Sequence, residues 1–251
     1  FTHGGITHSL FGALLVSAGA FLLFRHIFSV TFVQDRILSQ MKVIREYIPR
    51  KCTSWAFPAV IAGAFLHLGL DCCASPGLPL MYPLSVQKYT LGILSGSSMI
   101  LLAVSLIFVG FLIKGRITPR HIKVYGTLFL VVLLFGAGMK VYVSDATEGR
   151  IIPTLNPFYW LVIEENDTSY VIEDYGVLEG VTNQTVYQKY LDVSPAEADQ
   201  YLSLPEIRRL RYFSYMMITE KNSGTIIFRD PLREEQIIWY PPYYSSVGIT
   251  R

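Results

Sequence analysis

The sequence predicts an α-helical transmembrane bundle of four helices over residues 1–143, followed by a soluble α+β domain over residues 144–251. Three observations carry this. Of 251 residues, 51% are hydrophobic and only 16% are charged, whereas a soluble domain carries about 25% charged residues. The two halves differ in sign: residues 1–143 hold 12 Lys/Arg against 3 Asp/Glu, and residues 144–251 hold 9 against 16. Four long apolar runs all fall in the first half and leave too little polar surface to cover them as buried helices of a soluble protein. The basic residues lie between these runs, not on a soluble face, so the charge points to a membrane and not to nucleic acid.

The first run, Ser9–Phe24, continues past Arg25 and His26 to Val33. It reaches the roughly 20 residues a bilayer needs if Arg25 snorkels to an interface. Residues 34–48 follow, with Ile37, Leu38, Met41, Ile44 and Ile48 at helical intervals, and read as an interfacial helix or a loop helix. The second run, Trp55–Leu70, reaches full length with Asp71–Ala74. The third, Leu91–Ile113, has no charge; its Gly/Ser cluster Gly92–Ser98 reads as a close helix-packing face. The fourth, Val124–Val143, holds only Lys140. Cys52, Cys72 and Cys73 form no disulfide framework and read as small apolar residues.

Lys and Arg set the orientation. Residues 25–51 contain Arg25, Arg36, Lys42, Arg45, Arg50 and Lys51, and residues 114–123 contain Lys114, Arg116, Arg120 and Lys123, against Lys88 alone in 74–90. The first two segments are therefore expected in the cytoplasm. The start of the chain, the 74–90 loop and residues 144–251 are expected outside, in a multi-pass plasma-membrane protein.

In the acidic half, residues 158–165 and 168–178 read as strands. Ser194, Pro195 and Glu197 form a capping box at a helix start, and residues 205–213 read as a further helical piece. Residues 215–220 and 225–230 flank a turn and predict a hairpin, and 237–240 a last strand. The triplets beginning at Asn166 and Asn183 fit the glycosylation pattern and agree with an outside placement.

His67 and Asp71 lie four apart on one apolar helix and so share a face. Ionisable groups inside a membrane mark sites. The orientation brings both to the outer face, where His3, in the entering loop, and His8, in the first turn of the first helix, also lie. Three imidazoles and one carboxylate suit Zn, Mn or Fe. His3, His8, His67 and Asp71 are thus the candidate metal ligands and catalytic residues. A structural His67–Asp71 pair competes with this reading. Thr7 and Ser9 flank His8 as helix-capping, positioning or substrate-contacting groups. His26 and His121 read as interfacial residues. No GxSxG elbow, Walker loop or HExxH motif is present.

HGGITHS (3–9) and HLGLDCCASPGLPLMYPLS (67–85) resemble the YdjM/YfhP-type family of membrane-bound metal-dependent hydrolases, itself distantly similar to zinc phospholipase C and P1-type nucleases. His3, Gly5, Thr7, His8 and Ser9 match its first element, His67 and Asp71 its second, and Gly77, Pro83 and Ser85 its loop. Asn156, Pro157, Phe158 and Trp160 resemble the tail of some members. Gly4 stands where the family usually has Arg or Lys, and Ala74 where Thr is common. The family's upstream Pro-Asp-x-Asp-type segment is not in this sequence, which opens on FTHGG; a preceding segment is expected to be missing.

The resemblance implies a hydrolase with a divalent metal, most simply Zn, acting on a phosphoester of a lipid or lipid-linked substrate at the outer membrane face. Membrane lipid is the expected partner, with no nucleic acid. The alternative is a non-enzymatic anchor whose exterior domain binds an envelope or membrane protein partner through an aromatic patch of Trp239, Tyr240, Tyr243 and Tyr244. A transporter fits less well, because the polar groups cluster at one face and not at the midplane.

Overall fold

A computed structural model describes residues 6–29, 56–96, 98–114, 118–238 and 245–250. The chain divides into two units, Phe1–Met139 and Lys140–Arg251. In the first, a short 3-10 turn, Ile6–His8, leads into α1 (Leu10–Ser29), followed by α2 (Ala56–Cys73), α3 (Met99–Ile113) and α4 (Pro119–Ala146), which runs on into the second unit. Ser9 starts α1: its Oγ accepts the Gly12 N–H at 3.0 Å and donates to the Ile6 carbonyl at 2.7 Å. This satisfies a donor that a helix start otherwise leaves unpaired.

α1 and α2 pack side by side. Ala13, Leu68 and Leu78 are buried together, with Leu10, Ala64, Cys72 and Leu80 around them, and Phe21 meets Phe57 with ring centroids 5.1 Å apart. The start of α1 therefore lies beside the end of α2. α2 and α4 are long and apolar enough to cross a membrane, whereas the apolar stretches of α1 and α3, Leu10–His26 and Ile100–Phe111, are shorter. Few side chains of α2 and α4 are buried; they are not the core helices of a soluble domain. Two of the four expected spans thus have the required length among the described residues.

The third run departs from expectation. Leu91–Ile113 is not one helix: α3 begins at Met99 and its 15 residues extend about 22 Å. Residues 91–94 instead cap α2. The Leu91 N–H donates to the Cys72 carbonyl at 2.6 Å, and those of Ile93 and Leu94 to Cys73 at 2.9 Å, while Ser75 donates back to Leu94 at 3.0 Å. A helix end leaves such carbonyls unpaired, and this cap outweighs continuing α3 backward. Gly92 and Gly96, at φ 53° and 63°, take a left-handed backbone that a right-handed helix excludes. The Gly/Ser cluster is therefore a loop and not a helix-packing face. Close packing occurs on α4, where a Cβ on Gly136 would lie 2.9 Å from the Ile93 carbonyl.

In the second unit, β1 (Arg150–Pro153), β2 (Tyr159–Glu165), β3 (Ser169–Gly176) and β4 (Gly180–Gln188) form one antiparallel sheet in chain order. β5 (Tyr190–Leu191), β6 (Ile218–Asn222), β7 (Thr225–Arg229) and β8 (Ser246–Thr250) form a second, in which β5 pairs parallel with β6. Ile152, Leu161, Ile163, Tyr170 and Ile172 of the first sheet form one core with Tyr215, Met216, Ile218 and Leu232. Between the strands stand α5 (Pro195–Asp199), α6 (Pro205–Phe213) and α7 (Pro231–Glu234). Ser194 caps α5 through the Glu197 N–H at 3.2 Å. Ile207 and Leu210 of α6 pack on Ile226 and Phe228. The expected hairpin turns at Ser223 and Gly224, both at positive φ, as a tight two-residue turn requires.

Among the described residues the last strand is β8, and of the expected strand 237–240 only Ile237 and Ile238 are described. Ile237 and Ile238 form bends, because the Ile238 N–H donates to the Leu232 carbonyl at 2.9 Å and folds the chain back on α7. Trp239, Tyr240, Tyr243 and Tyr244, the 34–48 segment, Cys52, His3, Gly4 and Gly5 lie outside the described residues. So does the whole of the expected aromatic patch.

Candidate metal centre

Two helix ends meet at the site. The 3-10 turn before α1 carries His8, and the last two turns of α2 carry His67 and Asp71. His8 thus stands just ahead of α1, not in its first turn. His8 Nε2 lies 3.8 Å and His67 Nε2 3.5 Å from Asp71 Oδ2. One ligand atom from each of the three residues falls within 4.8 Å of the others. The two imidazoles are tilted, with centroids 5.6 Å apart.

These separations bear on the competing reading as a hydrogen-bonded pair. A carboxylate–imidazole hydrogen bond is about 2.7–2.9 Å long, and neither contact is that short. Asp71 Oδ2 is buried and has no hydrogen-bond partner among the described residues, a costly state for a carboxylate oxygen. Tetrahedral ligands at about 2.0–2.2 Å from one ion stand roughly 3.3 Å apart, near the 3.5 and 3.8 Å to Asp71 Oδ2, while the three ligand atoms together span up to 4.8 Å. An orphaned oxygen facing two imidazole nitrogens therefore fits a divalent cation of the Zn class. His67, with its side chain 64% exposed, leaves the site open on one side.

The turn around His8 is held from several directions. Thr7 Oγ1 stands 3.0 Å from His8 Nδ1, leaving Nε2 to face Asp71. Partners on the second ring nitrogen orient a ligating imidazole in this way. Ser9 is fully buried and caps α1; its hydroxyl is spent on backbone and does not reach the His–Asp cluster. The Leu10 N–H donates to the Leu80 carbonyl at 3.0 Å, which ties the start of α1 to the loop after α2. In that loop Gly77 has φ 88°, and a Cβ there would lie 2.6 Å from the Tyr89 carbonyl. Thr90 Oγ1 donates to the Ala74 carbonyl at 2.7 Å, fastening the same loop at its base.

Sequence reasoning missed Gly12. A Cβ at this position would sit 1.6 Å from the Ile6 carbonyl oxygen, so only glycine lets the 3-10 turn fold over the first turn of α1. The signal available in the sequence was one glycine four residues after His8, in a helix that also holds Gly19. Gly12→Ala is expected to push the turn outward and take His8 Nε2 from Asp71. If the cluster holds zinc, its affinity should fall at least about tenfold, the scale of lost ligand orientation, with helical circular dichroism unchanged. Unaltered zinc affinity in titration calorimetry would refute the positioning role.

His8, His67 and Asp71 are brought together; His3 is not among the described residues. His26 ends α1, and His121 opens α4, where the Thr118 N–H donates to its Nδ1 at 3.1 Å; neither belongs to the cluster of three. Comparison with known proteins finds that a family model described as YdjM inner membrane protein matches residues 1–144. No curated protein and no solved structure matches.

Proposed function

The chain belongs to the YdjM inner membrane protein family, and from that premise we propose that it is a membrane-bound metal-dependent hydrolase acting on a phosphoester of a lipid or lipid-linked substrate. The observation that carries the reading is the buried Asp71 Oδ2, without a hydrogen-bond partner among the described residues, facing the Nε2 atoms of His8 and His67. His8, His67 and Asp71 would hold the ion, with His3 as a fourth ligand. Zn is the first choice and Mn or Fe the alternatives. Bound there, the metal supplies a water of lowered pKa and an electrophile for a phosphoryl oxygen.

The chain's own residues do the rest. Asp71 offsets positive charge at the site, Thr7 holds the His8 ring, and the Leu80–Leu10 strap keeps the two helix ends together. Charge counting supports an outward-facing site: 25–51 and 114–123 are rich in Lys and Arg and 74–90 is not. With four membrane segments, as the apolar runs suggest, the same count puts residues 144–251 outside the cytoplasm. A site at the end of a membrane helix lies near the headgroup layer, which favours a lipid phosphoester over a soluble one.

The test is hydrolysis by the purified full-length protein of phospholipid vesicles, scored as released headgroup. Activity should be lost on chelation, return with Zn²⁺, and fall at least about 100-fold in His67→Ala. Release that persists after chelation sinks the metal mechanism. The second reading makes residues 144–251 a partner-binding domain on a membrane anchor. It is favoured by exposed apolar groups such as Leu178 at the β3–β4 turn, and it predicts that His67→Ala leaves partner capture intact.

A further inference from the structure

The other end of the helical unit holds a different feature. α3 and α4 meet through aromatic and polar side chains: Phe108 stacks on Tyr125 at 4.3 Å, Phe111 on His121 at 5.1 Å, and the Ser105 and Tyr125 hydroxyls lie 3.2 Å apart. These bulky contacts hold the helices apart and leave a groove of about 470 Å³. Val104, Ile107, Val124 and Leu128 line its length, and Thr118, Arg120 and His121 line one end. Its size is that of a small-ligand site, its walls are apolar, and its polar groups gather at a single end.

Charge identifies the occupant. Residues 72–144 contain no Asp or Glu, while Lys114, Arg116, Arg120 and Lys123 crowd the α3–α4 connection. The only acidic side chain among the described residues before Asp145 is Asp71, at the far end of α2. No ion pair of Arg120 or Lys123 forms among the described residues. His121 adds a donor. Its Nδ1 accepts the Thr118 N–H, so the neutral ring carries its proton on Nε2. An apolar channel ending in Arg120 and His121, with Lys123 three residues after Arg120 on the same helix, matches an acyl chain joined to an anionic headgroup.

We propose that the α3–α4 groove is a binding site for an anionic phospholipid, its acyl chain along Ile107 and Leu128 and its phosphate at Arg120 and Lys123. Hydrocarbon already surrounds the helices, so the chain gains little by entering the groove. Selectivity comes from the headgroup, as for basic pockets between membrane helices. The site is separate from the His8–His67–Asp71 cluster and does not depend on hydrolysis. It rests on α3 and α4 lying in the membrane.

The full-length protein, placed in nanodiscs of mixed phosphatidylglycerol and phosphatidylcholine, is released into detergent and its retained lipid counted by native mass spectrometry. The wild type should retain phosphatidylglycerol preferentially. Arg120→Ala with Lys123→Ala should reduce that preference roughly tenfold or more. Arg120→Lys, which keeps the charge, should retain most of it. Ile107→Trp, which fills the groove without changing charge, should also lose retention. The proposal is overturned if the double variant keeps the wild-type preference. It is overturned equally if Ile107→Trp binds normally, or if Arg25→Ala, a charge change on α1, removes as much lipid as the double variant. His67→Ala should leave lipid retention unchanged, which separates this site from the proposed hydrolase.

Discussion

If the His8–His67–Asp71 cluster holds zinc, Asp71→Ala is expected to reduce zinc affinity by at least about 100-fold. Asp71 is the one carboxylate in the cluster, and its Oδ2 is the atom both imidazoles face, at 3.5 and 3.8 Å. Removing it leaves only imidazole nitrogens, those of His8, His67 and the proposed His3, with no charge to offset the ion, and affinity at such sites follows ligand number and charge. The same substitution separates the metal site from a structural pair. If Asp71 serves only to pair with His67, the wild type binds no stoichiometric metal and the variant loses stability alone. If the three residues hold an ion, metal analysis finds about one divalent ion per full-length chain and none in the variant. Zinc at 1,000 times its dissociation constant then stabilises the wild type by about 4 kcal/mol and the variant hardly at all. Equal thermal shifts on adding zinc to both proteins would count against the site.

The second large effect lies in the β-rich unit. Asp230 is completely buried before α7, and its carboxylate accepts the N–H groups of Tyr215 at 3.0 Å and Leu232 at 3.2 Å. Arg233, nearly buried, places its Nε 3.5 Å from the carboxylate and donates from Nη2 to the Phe213 carbonyl at 2.7 Å. This network fixes the end of α6 to the start of α7. Asp230→Ala strands two donors and a buried guanidinium and should cost roughly 3–5 kcal/mol. Adding Arg233→Met should recover part of that loss, because the uncompensated charge goes with it. Hydrogen exchange of β6 and β7 in the full-length protein measures both; a change under about 1 kcal/mol in Asp230→Ala contradicts the network's role.

The same carboxyl makes stability depend on pH. Burial, partly offset by the Tyr215 N–H and Arg233, raises its pKa from 3.8 to about 6. The folded state therefore takes up the proton more readily than the unfolded chain. The resulting stabilisation is complete below pH 3.8 and is lost as pH rises through about 6. That difference corresponds to about 3 kcal/mol. Asp230→Asn should flatten the stability profile over this window, read as the change in unfolding midpoint between pH 4 and 7. A wild-type profile without that slope would show that Asp230 does not titrate in the window.

Much of the molecule was legible locally. Ser194-Pro195-x-Glu197 placed α5 and 205–213 placed α6 because caps and periodicity act over a few residues. The hairpin around Ser223-Gly224 was legible through its turn chemistry. The strands Arg150–Pro153, Gly180–Gln188 and Ser246–Thr250 were not foreseen. β4 is mostly polar and largely exposed, so it carries no alternation to read, and its strand character comes from pairing with β3. The third apolar run misled for a related reason. Hydropathy cannot separate a helix from a loop whose N–H groups cap another helix, and Leu91–Leu94 are committed to the end of α2.

The sequence by itself determined the division into a basic apolar half and an acidic mixed half, because burial in lipid and solvation in water are properties of composition. It also determined the His67–Asp71 face, because helical spacing is periodic. The tertiary structure alone decided how near His8 comes to that face, 3.8 Å from Asp71 Oδ2, since α1 and α2 are joined by a long segment and only side-by-side packing brings their ends together. It also decided that Gly12 is the position allowing the 3-10 turn to fold back, because close approach of a carbonyl to one α-carbon is a distance no spacing rule contains.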